Sequence, residues 1–391
     1  MTAAYLHALG VINALGHDVG SVRAALYAGS TAGMVSRGDL IRDRETCVGA
    51  VQGALPLVDP AYAAYASRNI QILCAAIAQI RLQIDAAIAQ YGADRIGIVL
   101  GSSTSGVAEG FDALSVRLRE GAFPPGYDYR RQELATPSEF LRRMLGLGGP
   151  AWSVSTACTA SAKSFSSARR LLKTGLCDAV IVGGVDSLCR LTLNGFNALE
   201  SIAAARCNPF SLNRDGINIG EGAAIFLMSR EPGPVALLGI GESSDAYHIS
   251  APDPEGRGAE TAMRTALAEA GVAAGAVDYV NLHGTGTVQN DLMESHAVDR
   301  VLGRDTPCSS TKPLVGHVLG AAGATEAAFC WMLLTEPDTA PLPPHIWDGA
   351  VDPALAPVRL SAPGETAHCR VTLSNSFAFG GNNACLVLGR G

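Results

Sequence analysis

Hydrophobic positions in this chain fall into two kinds of stretch that alternate along the sequence. Short, almost continuous apolar runs, such as DRIGIVLGSS, DAVIVGG, VDYVNLH and CRVTLSNS, are typical of strands buried on both faces. Longer alanine-rich stretches between them, such as SRNIQILCAAIAQIRLQIDAAIAQYG and AETAMRTALAEAG, have the spacing of helices. The alternation predicts an α/β protein in which helices cover a buried mixed or parallel sheet.

The order of these features repeats along the chain. The first part runs from the strand AYLHALGVINALG through IGIVLGSSTSG and a turn containing Cys158 to a helix of small residues, and it ends in EGAAIFLMSRE. The second part runs from VALLGIGESSD through YVNLHGTGT and a turn containing His317 to the small-residue helix GAAGATEAAFCWMLL, and it ends in NNACLVLGRG. We therefore predict two similar halves, residues 1–232 and 233–391, that meet in the segment SREPGPVA.

Composition narrows the class of protein. The 391 residues, of which 48% are hydrophobic and 17% charged, suffice for one large core or two fused cores. The apolar runs stop short of the roughly 18 residues that a spanning helix needs, and no basic region precedes an apolar one at the N-terminus. We therefore expect a cytoplasmic protein without membrane association. A net charge of −7 without a basic run argues against nucleic acid as a partner.

The ten cysteines lie at irregular intervals. They form no CxxC pair and no Cys/His spacing of a zinc site, which suits a reducing compartment better than a disulfide framework. Most of them are expected to fill the core. Cys158 differs, because the stretch VSTACTASAKS puts it at the start of a helix, where unpaired N–H groups and the helix dipole favour a thiolate. A thiolate at that position is a nucleophile.

Two further stretches carry histidines in settings that suit an active site. The stretch NLHGTGTVQNDLMES puts His283 at the end of an apolar strand, and strand ends often carry active-site residues. Thr285 and Thr287 follow it, and their hydroxyls can hydrogen-bond an extended ligand that contains amides. The stretch SSTKPLVGHVLGAAGATE places His317 at a helix start. We predict that both histidines lie near Cys158.

The same region contains an unusual lysine. Lys312 is one of three lysines in a chain that otherwise uses arginine, so its compact ammonium in a glycine-rich setting indicates a particular role, paired with Glu326. Near the C-terminus, the glycines of NSFAFGGNN allow tight turns that can aim backbone N–H groups at a developing oxyanion. These stretches together favour nucleophilic catalysis at Cys158.

In this order, the motifs resemble those of β-ketoacyl-[acyl carrier protein] synthases of the elongating, Cys-His-His type, within the thiolase-like family. The resemblance covers essentially the whole chain, and the motifs are TAC, HGTGT with D and E downstream, K followed by GH, GAAG and E, and NSFAFGGN. It implies an α/β, thiolase-like fold with two pseudo-duplicated βαβαβαββ halves that form a five-layered αβαβα core. It also implies a dimer.

The resemblance assigns roles to individual residues. Cys158 accepts the acyl chain, and His283, His317 and Lys312 complete the catalytic set. The backbone N–H groups of Cys158 and Phe379 form the oxyanion hole. The other assignments are the supporting positions Glu326, Asp291 and Glu294 and the substrate-binding positions Thr285, Thr287, Phe377, Phe379 and Thr104.

The implied reaction is a decarboxylative Claisen condensation. An acyl thioester transfers its acyl group to Cys158, and malonyl-acyl carrier protein then loses carbon dioxide and attacks the acyl-enzyme. The resemblance implies no metal and no bound cofactor for catalysis, and the phosphopantetheine arm of the acyl carrier protein carries the substrates. Because carrier proteins are acidic, the expected contacts with them are the arginines Arg68, Arg130, Arg131 and Arg206.

Three positions depart from the family pattern and bear on the substrate. Ala378 replaces a glycine between the gatekeeper phenylalanines, which restricts the backbone of that loop. Thr104 and Asn218 replace side chains that are usually apolar, and Thr104 falls near the acyl pocket of relatives. We expect either fatty-acid elongation or a specialised acyl chain, as in aryl-polyene or polyketide pathways.

The same residues also bear on three other functions: a non-catalytic subunit, a thiolase and a serine hydrolase. A non-catalytic, chain-length-factor-like subunit of a ketosynthase heterodimer is the alternative, but such subunits typically lose the nucleophile that this chain keeps. A thiolase needs a second catalytic cysteine, and Cys385 is not in the CxG arrangement of thiolases. The loop GSSTSG lacks the spacing of a serine hydrolase. Left open are the acyl length, a homodimer or a heterodimer with a chain-length-factor-like paralogue, and a structural cation near Asp291 and Glu294.

Overall fold

The computed structural model describes residues 4–391. Its strands are β1 Tyr5–Ile12, β2 Met34–Ile41, β3 Arg44–Gly49, β4 Ile96–Gly101, β5 Ala151–Val154, β6 Ala179–Asp186, β7 Gly222–Ser229, β8 Val235–Ser244, β9 Tyr279–Asn281, β10 Pro307–Ser309, β11 Ala340–Pro341, β12 Arg359–Leu360, β13 Thr366–Ala367, β14 Val371–Ala378 and β15 Asn382–Arg390.

The α-helices are α1 Val19–Tyr27, α2 Arg68–Gln79, α3 Arg81–Tyr91, α4 Val107–Glu120, α5 Thr136–Met144, α6 Ala160–Lys173, α7 Arg190–Ala198, α8 Arg257–Ala270, α9 Val288–Leu302, α10 Lys312–Val315 and α11 Ala322–Leu334. Short 3₁₀ turns lie at Pro60–Tyr65, Ala93–Arg95, Tyr129–Gln132, Ala274–Ala276, Leu319–Ala321 and Phe379–Gly381.

Eleven strands form one sheet in the order β12-β10-β9-β14-β15-β8-β1-β7-β6-β4-β5. The halves meet where β1 and β8 pair antiparallel, Tyr5 opposite Ala236. Outward from that junction, the strands of the two halves pair in the same order. In the first half, β1, β7 and β6 pair antiparallel, and β4 and β5 then add parallel to β6. In the second half, β8, β15 and β14 pair antiparallel, and β9 and β10 then add parallel to β14. The predicted pair of βαβαβαββ halves is confirmed.

The helices divide the molecule into five layers. α6 and α11 pack on each other between the halves, and each contacts strands of both halves. α2 covers the outer face of the first half on β1 and β7, while α8 covers the outer face of the second half on β8 and β15. The order of layers is therefore αβαβα, as the resemblance implied. The predicted boundary near residue 232 falls between β7 and β8; as a domain boundary it stays a prediction.

Small residues let the central helices approach the strands closely. A Cβ atom at Gly101, the last residue of β4, would lie 2.3 Å from the backbone nitrogen of Ser161 on α6. A Cβ atom at Gly184 on β6 would lie 2.7 Å from the Ser161 side chain. Because no larger residue fits at these glycines, α6 and the turn before it are held tightly against the carboxyl ends of the parallel strands.

The helices of residues 4–391 differ from membrane-spanning helices in length or in apolar content. None of the individual helices there has both the length and the apolar content needed to cross a bilayer, and only α2 and α3 taken together, with a 71° bend between them, pass on length and composition.

Candidate active site

Cys158 lies in the turn that joins β5 to α6. Ala157 before it has φ +51°, a left-handed conformation that costs energy for a residue with a Cβ atom. Thr159 is the residue that precedes the helix, so Cys158 lies just outside the first turn of α6. The strained turn aims the thiol into the space between the two halves, where it is only 7% exposed.

The pKa of the Cys158 thiol is determined mainly by its burial. Burial raises the pKa of the thiol to about 12, and the nearby charge of Lys312 only partly opposes that rise. The sequence indicated that the start of the helix favours a thiolate, and in the folded structure burial opposes that effect. The group is a thiol at neutral pH and has to lose its proton when it reacts.

A proton acceptor lies beside the thiol. The Nε2 atom of His317 is 2.9 Å from Sγ of Cys158. His317 follows α10 and the positive-φ Gly316, and its backbone N–H donates to the carbonyl of Asn218 at 2.6 Å. That bond fixes the segment that carries the imidazole, so the short contact with sulfur is part of a held arrangement.

His283 completes the group. Its ring stands almost perpendicular to that of His317, with centroids 5.3 Å apart at 83°, and the ring of Phe377 lies 6.0 Å from it. The sulfur and the nearest ring nitrogens of Cys158, His283 and His317 all lie within 4.8 Å of one another. Both imidazoles are buried, and their Nδ1 atoms have no hydrogen-bond partner among the described residues. The predicted histidines are therefore brought together at the thiol.

Lys312 and Glu326 form a buried ion pair behind the histidines. Their Nζ and Oε1 atoms are 2.5 Å apart, and the side chains are 2% and 4% exposed. Lys312 also donates to the backbone carbonyl of His283 at 2.5 Å. Burial, together with the Lys312 charge, holds the pKa values of His283 and His317 well below the usual value, so both rings are neutral at pH 7.

The turn that carries His283 is tied down by two buried carboxylates. Glu294 accepts the backbone N–H groups of His283 and Gly284 at 2.8 and 2.7 Å. Asp291 accepts those of Gly286 and Phe210 at 3.2 and 2.8 Å. With further bonds from Asn290 and Asn375, all four carboxylate oxygens accept hydrogen bonds from N–H groups. This geometry fits the structural role predicted for both residues.

A cleft of about 660 Å³ leads from solvent to the thiol. Thr285 and Thr287 line it, with their hydroxyls 3.0 Å apart. The gatekeeper residues Phe377, Ala378 and Phe379 line it as well. The loop around Phe379 is held from outside, because Gly380 donates to the carbonyl of Ile249 and Asp245 donates to that of Gly381, each at 2.8 Å.

A second space lies behind the thiol. This rear cavity of about 390 Å³ is lined by Ser103, Ala157, Cys158, Thr192, Phe196, Leu319 and Phe379. The rings of Phe196 and Phe379, 5.5 Å apart, line both the cleft and the rear cavity. Phe196 was not singled out in the sequence; its only signal is an aromatic residue in a helix that follows a buried strand.

Thr104 and Asn218, the two polar departures from the family pattern, are both hydrogen-bonded within the protein. The hydroxyl of Thr104 donates to Asp186 at 2.8 Å, and Thr104 lines neither cavity. The role of Thr104 as a substrate contact stays a prediction. The Asn218 side chain accepts from the N–H of Cys207 at 2.6 Å and donates to the carbonyl of Ala205 at 2.8 Å. Its polarity serves the loop beside it and carries no information about the acyl chain.

Asp186 is a residue that sequence reasoning missed. One of its oxygens accepts four hydrogen bonds from the loop GSSTSG, and the other accepts the N–H of Ala321 at 3.1 Å. The carboxylate thereby joins the loop after β4 to the turn after His317, across the two halves. Its only signal in the sequence is an acidic residue that ends an otherwise apolar strand.

The four arginines predicted to contact a carrier protein fall into two groups. Arg68 donates to Glu221 through Nη2 to Oε1 at 2.5 Å and through Nε to Oε2 at 2.8 Å. Arg131 donates to the backbone carbonyls of Ala63 and Gly126. These two arginines hold the fold together. Arg130 and Arg206 are exposed and form no ion pair among residues 4–391. They remain free to contact a partner.

Comparison with protein families gives the same assignment as the geometry. Residues 66–232 match the model of the β-ketoacyl synthase N-terminal domain, and residues 235–345 match that of the β-ketoacyl synthase C-terminal domain. The chain belongs to the β-ketoacyl synthase family. The resemblance read from the sequence motifs is thereby confirmed.

Individual relatives lie within this family. The chain is 36% identical over 320 residues to 3-oxoacyl-[acyl-carrier-protein] synthase 2 of Rhizobium meliloti, which covers 75% of this chain and 74% of that protein. Among solved structures, it is similar to the ketosynthase ApeO of Xenorhabdus doucetiae, solved in complex with its chain length factor ApeC, at 44% identity and a TM-score of 0.94 over 100% of this chain and 98% of that one. A β-ketoacyl synthase of Burkholderia phymatum matches at 26% identity and a TM-score of 0.86, with 100% of both chains covered.

Proposed function

We propose that this ketosynthase condenses an acyl group, carried on Cys158, with a malonyl unit delivered on an acyl carrier protein. The observation that carries the proposal is the contact of 2.9 Å between Sγ of Cys158 and Nε2 of His317, with the His283 ring beside it in a cleft open to solvent. A thiol, a neutral base and a second imidazole at this spacing suit acyl transfer followed by enolate chemistry.

The first step is transfer of the acyl group to the enzyme. As Sγ attacks the thioester carbonyl, its proton passes to Nε2 of His317, which is neutral and within hydrogen-bond distance. The tetrahedral intermediate collapses, and the departing pantetheine sulfur takes the proton back from His317. The N–H groups of Cys158 and Phe379 are proposed as the donors that stabilise the oxyanion.

The second step forms the carbon–carbon bond. Malonyl thioester binds with its carbonyl oxygen facing His283 and His317, and carbon dioxide leaves as the enolate forms. A neutral imidazole in the right tautomer donates one N–H to that oxygen. The enolate carbon attacks the acyl-Cys158 carbonyl, the sulfur leaves, and one proton from solvent restores the thiol. The product is a β-ketoacyl thioester two carbons longer than the acyl group.

Lys312 acts through the histidines. Its ammonium, bonded to Glu326 and to the His283 carbonyl, holds the segment that carries His283 and keeps both rings neutral. A neutral ring can accept the thiol proton, whereas an imidazolium cannot. We assign Lys312 and Glu326 as positioning residues, with no proton transfer of their own.

The substrates are proposed to arrive on phosphopantetheine. Thr285 and Thr287 line the cleft, and their hydroxyls suit the amide groups of such an arm. Arg130 and Arg206 are the proposed contacts with the acidic carrier protein, because both residues are exposed and form no ion pair among the described residues, although Arg206 donates to the Thr31 hydroxyl at 3.4 Å. No other cofactor is part of the proposed chemistry.

A partner subunit is proposed as well. The relative ApeO was solved with its chain length factor, and this chain matches ApeO along its whole length. The edge strand β5 has half-exposed residues throughout and ends next to the turn with Cys158, so a second subunit that pairs there would adjoin the active site. We propose a dimer, either with a second copy or with a chain-length-factor-like paralogue, in the cytoplasm, where the ten free thiols stay reduced.

Intact-protein mass spectrometry with a panel of acyl-carrier-protein thioesters tests this function. Wild type should gain the mass of one acyl group, Cys158→Ala should gain none, and the control Cys74→Ala, which removes a half-buried thiol on α2, should behave as wild type. Addition of malonyl-carrier protein should discharge the adduct. Absence of any adduct, alone or with a paralogue added, would favour the non-catalytic subunit instead.

A further inference from the structure

A third histidine, His345, lies buried in the half that carries His283. It comes after β11, and only 2% of the residue is exposed. No step proposed above uses this ring. A buried imidazole has one nitrogen that donates and one that accepts, and both need partners inside the protein. The partners of His345 therefore show what the ring holds in place.

Both ring nitrogens of His345 bind backbone groups. Nδ1 accepts the N–H of Ser310 at 3.1 Å, and Nε2 donates to the carbonyl of Pro209 at 2.9 Å. Because the first partner can only donate and the second can only accept, the ring is neutral and carries its proton on Nε2. Burial lowers the pKa of His345 to about 4, which agrees with a neutral ring at pH 7. The rings of Phe210 and Trp347 stand edge-on to it at 6.0 and 5.9 Å, so its orientation is fixed.

Ser310 connects His345 to the turn that carries His283. The Ser310 hydroxyl donates to the carbonyl of Gly284 at 2.6 Å and accepts the backbone N–H of Lys312 at 3.3 Å. Gly284 has φ +38°, and a Cβ atom there would lie 2.5 Å from Cβ of Ser310. The two segments are therefore in direct contact, and a displacement of Ser310 displaces the residue next to His283.

The bond from Ser310 is one of four that fix the backbone around His283. The N–H groups of His283 and Gly284 both donate to Glu294, and the carbonyl of His283 accepts from Lys312. Those three bonds end on charged side chains. The fourth, on the carbonyl of Gly284, comes from the neutral hydroxyl of Ser310, whose own backbone is held by His345.

We propose that His345 is a positioning residue for His283, which rests on the function proposed above. His345 holds Ser310, and Ser310 holds the carbonyl of Gly284, so the His283 ring stays aimed at the oxygen on which the enolate forms. Acyl transfer to Cys158 uses His317, whose segment is held separately by the carbonyl of Asn218. Loss of the His345 contact should therefore slow the decarboxylating step far more than acyl transfer.

Two substitutions separate the two nitrogens of the ring. His345→Asn puts an amide oxygen in the place of Nδ1, so it keeps the acceptor for Ser310 and loses the donor to Pro209. His345→Gln puts an amide nitrogen in the place of Nε2, so it keeps the donor to Pro209 and loses the acceptor for Ser310. Each variant loses one of two buried bonds, so urea unfolding should show similar losses of stability. His17→Gln, at an exposed histidine, is the control.

Intact mass gives two rates for each variant. The first is formation of acyl-Cys158 from a saturated acyl-carrier-protein thioester, and the second is discharge of that adduct by saturating malonyl-carrier protein. His345→Gln should load within about threefold of the wild-type rate but discharge at least about tenfold more slowly. His345→Asn should discharge near the wild-type rate, and His17→Gln should match wild type in both steps.

The two steps also separate this proposal from the function on which it rests. Equal discharge rates in His345→Asn and His345→Gln, or loading slowed as much as discharge, would mean that His345 only supports the fold and would overturn the positioning role. Either result leaves the proposed function intact as long as wild type loads and discharges. If wild type forms no acyl adduct, the proposed function itself fails.

Discussion

The buried Lys312–Glu326 pair gives an asymmetric prediction for stability. At 2% and 4% exposure, water screens the pair very little, so removal of one partner leaves the other charge buried. In Glu326→Leu the Lys312 ammonium remains buried without its carboxylate partner. Loss of one partner of a buried pair typically costs about 3–5 kcal/mol, and we expect a loss in that range for this variant.

The opposite variant should be milder. In Lys312→Met the carboxyl of Glu326 is left alone, but burial already raises its pKa to about 7, and loss of the ammonium raises it further. The group therefore takes a proton at pH 7 at small cost, and we expect a loss of about 1–2 kcal/mol, mainly from the missing hydrogen bond. A carboxyl whose pKa is higher in the folded protein than in the unfolded chain stabilises the fold at pH values below its unfolded pKa, and that contribution is lost as the pH rises through the folded pKa. The free energy of unfolding of this variant should therefore fall further between pH 7 and 9.

Urea unfolding at pH 7 and one fixed protein concentration measures both variants and the double variant Lys312→Met/Glu326→Leu. The double variant should be more stable than Glu326→Leu alone, because no charge is then left buried. Equal losses in the two single variants, or a double variant as unstable as their sum, would refute the argument. In Lys312→Met the acid limb of condensation activity should also move to higher pH, because a charge that lowers both histidine pKa values is gone.

Four other expectations follow from the site. Alkylation of Cys158 by iodoacetamide should rise about tenfold per pH unit from pH 6 to 9 without a plateau, because burial raises the thiol pKa to about 12; a plateau below pH 8 would indicate a stabilised thiolate. Phe379→Ala should speed that alkylation, measured at pH 8 by mass, because the ring lines the approach to the sulfur; an unchanged rate would mean that the ring does not gate access. Thr104→Val should lower the free energy of unfolding by about 1–3 kcal/mol, read by urea titration, because Asp186 loses a buried donor; an altered acyl preference would instead place Thr104 at the substrate. Arg206→Glu should raise KM for the carrier protein in a salt-dependent way, whereas Arg42→Glu, at a 91% exposed side chain, should not; equal effects would point to net charge alone.

The fold and the grouping of Cys158, His283 and His317 could be predicted because both follow from the order of strands and helices along the chain. The alternation of apolar runs and alanine-rich stretches repeats once, and the structure has the same duplication in its sheet. Cys158 and His283 each follow a strand, and carboxyl ends of parallel strands meet at one edge of a sheet. His317 comes after β10 and the short helix α10. Their proximity therefore follows from the topology of the sheet, which the pattern of hydrophobic residues predicts well.

The differences between expectation and structure concern the directions of side chains and their hydrogen-bond partners, which no local sequence pattern contains. Thr104 was expected at the substrate because of its place in a motif, but its hydroxyl turns toward Asp186, 82 residues away along the chain. Arg68 was expected on a binding surface, but Glu221, 153 residues away, takes its guanidinium. Burial raises the pKa of the Cys158 thiol, and burial is a property of the folded molecule that the local sequence does not contain.

The division of the site between the two halves has a consequence for the growing polypeptide. Cys158 belongs to the half that is synthesised first, whereas His317, the proposed acceptor of its proton, comes 159 residues later. Until the ribosome has completed the second half, the nucleophile has no base, and the helix that packs against α6 does not yet exist. Acylation thus begins only when synthesis and folding are finished, so an incomplete chain cannot capture acyl groups from the cell's carrier pool.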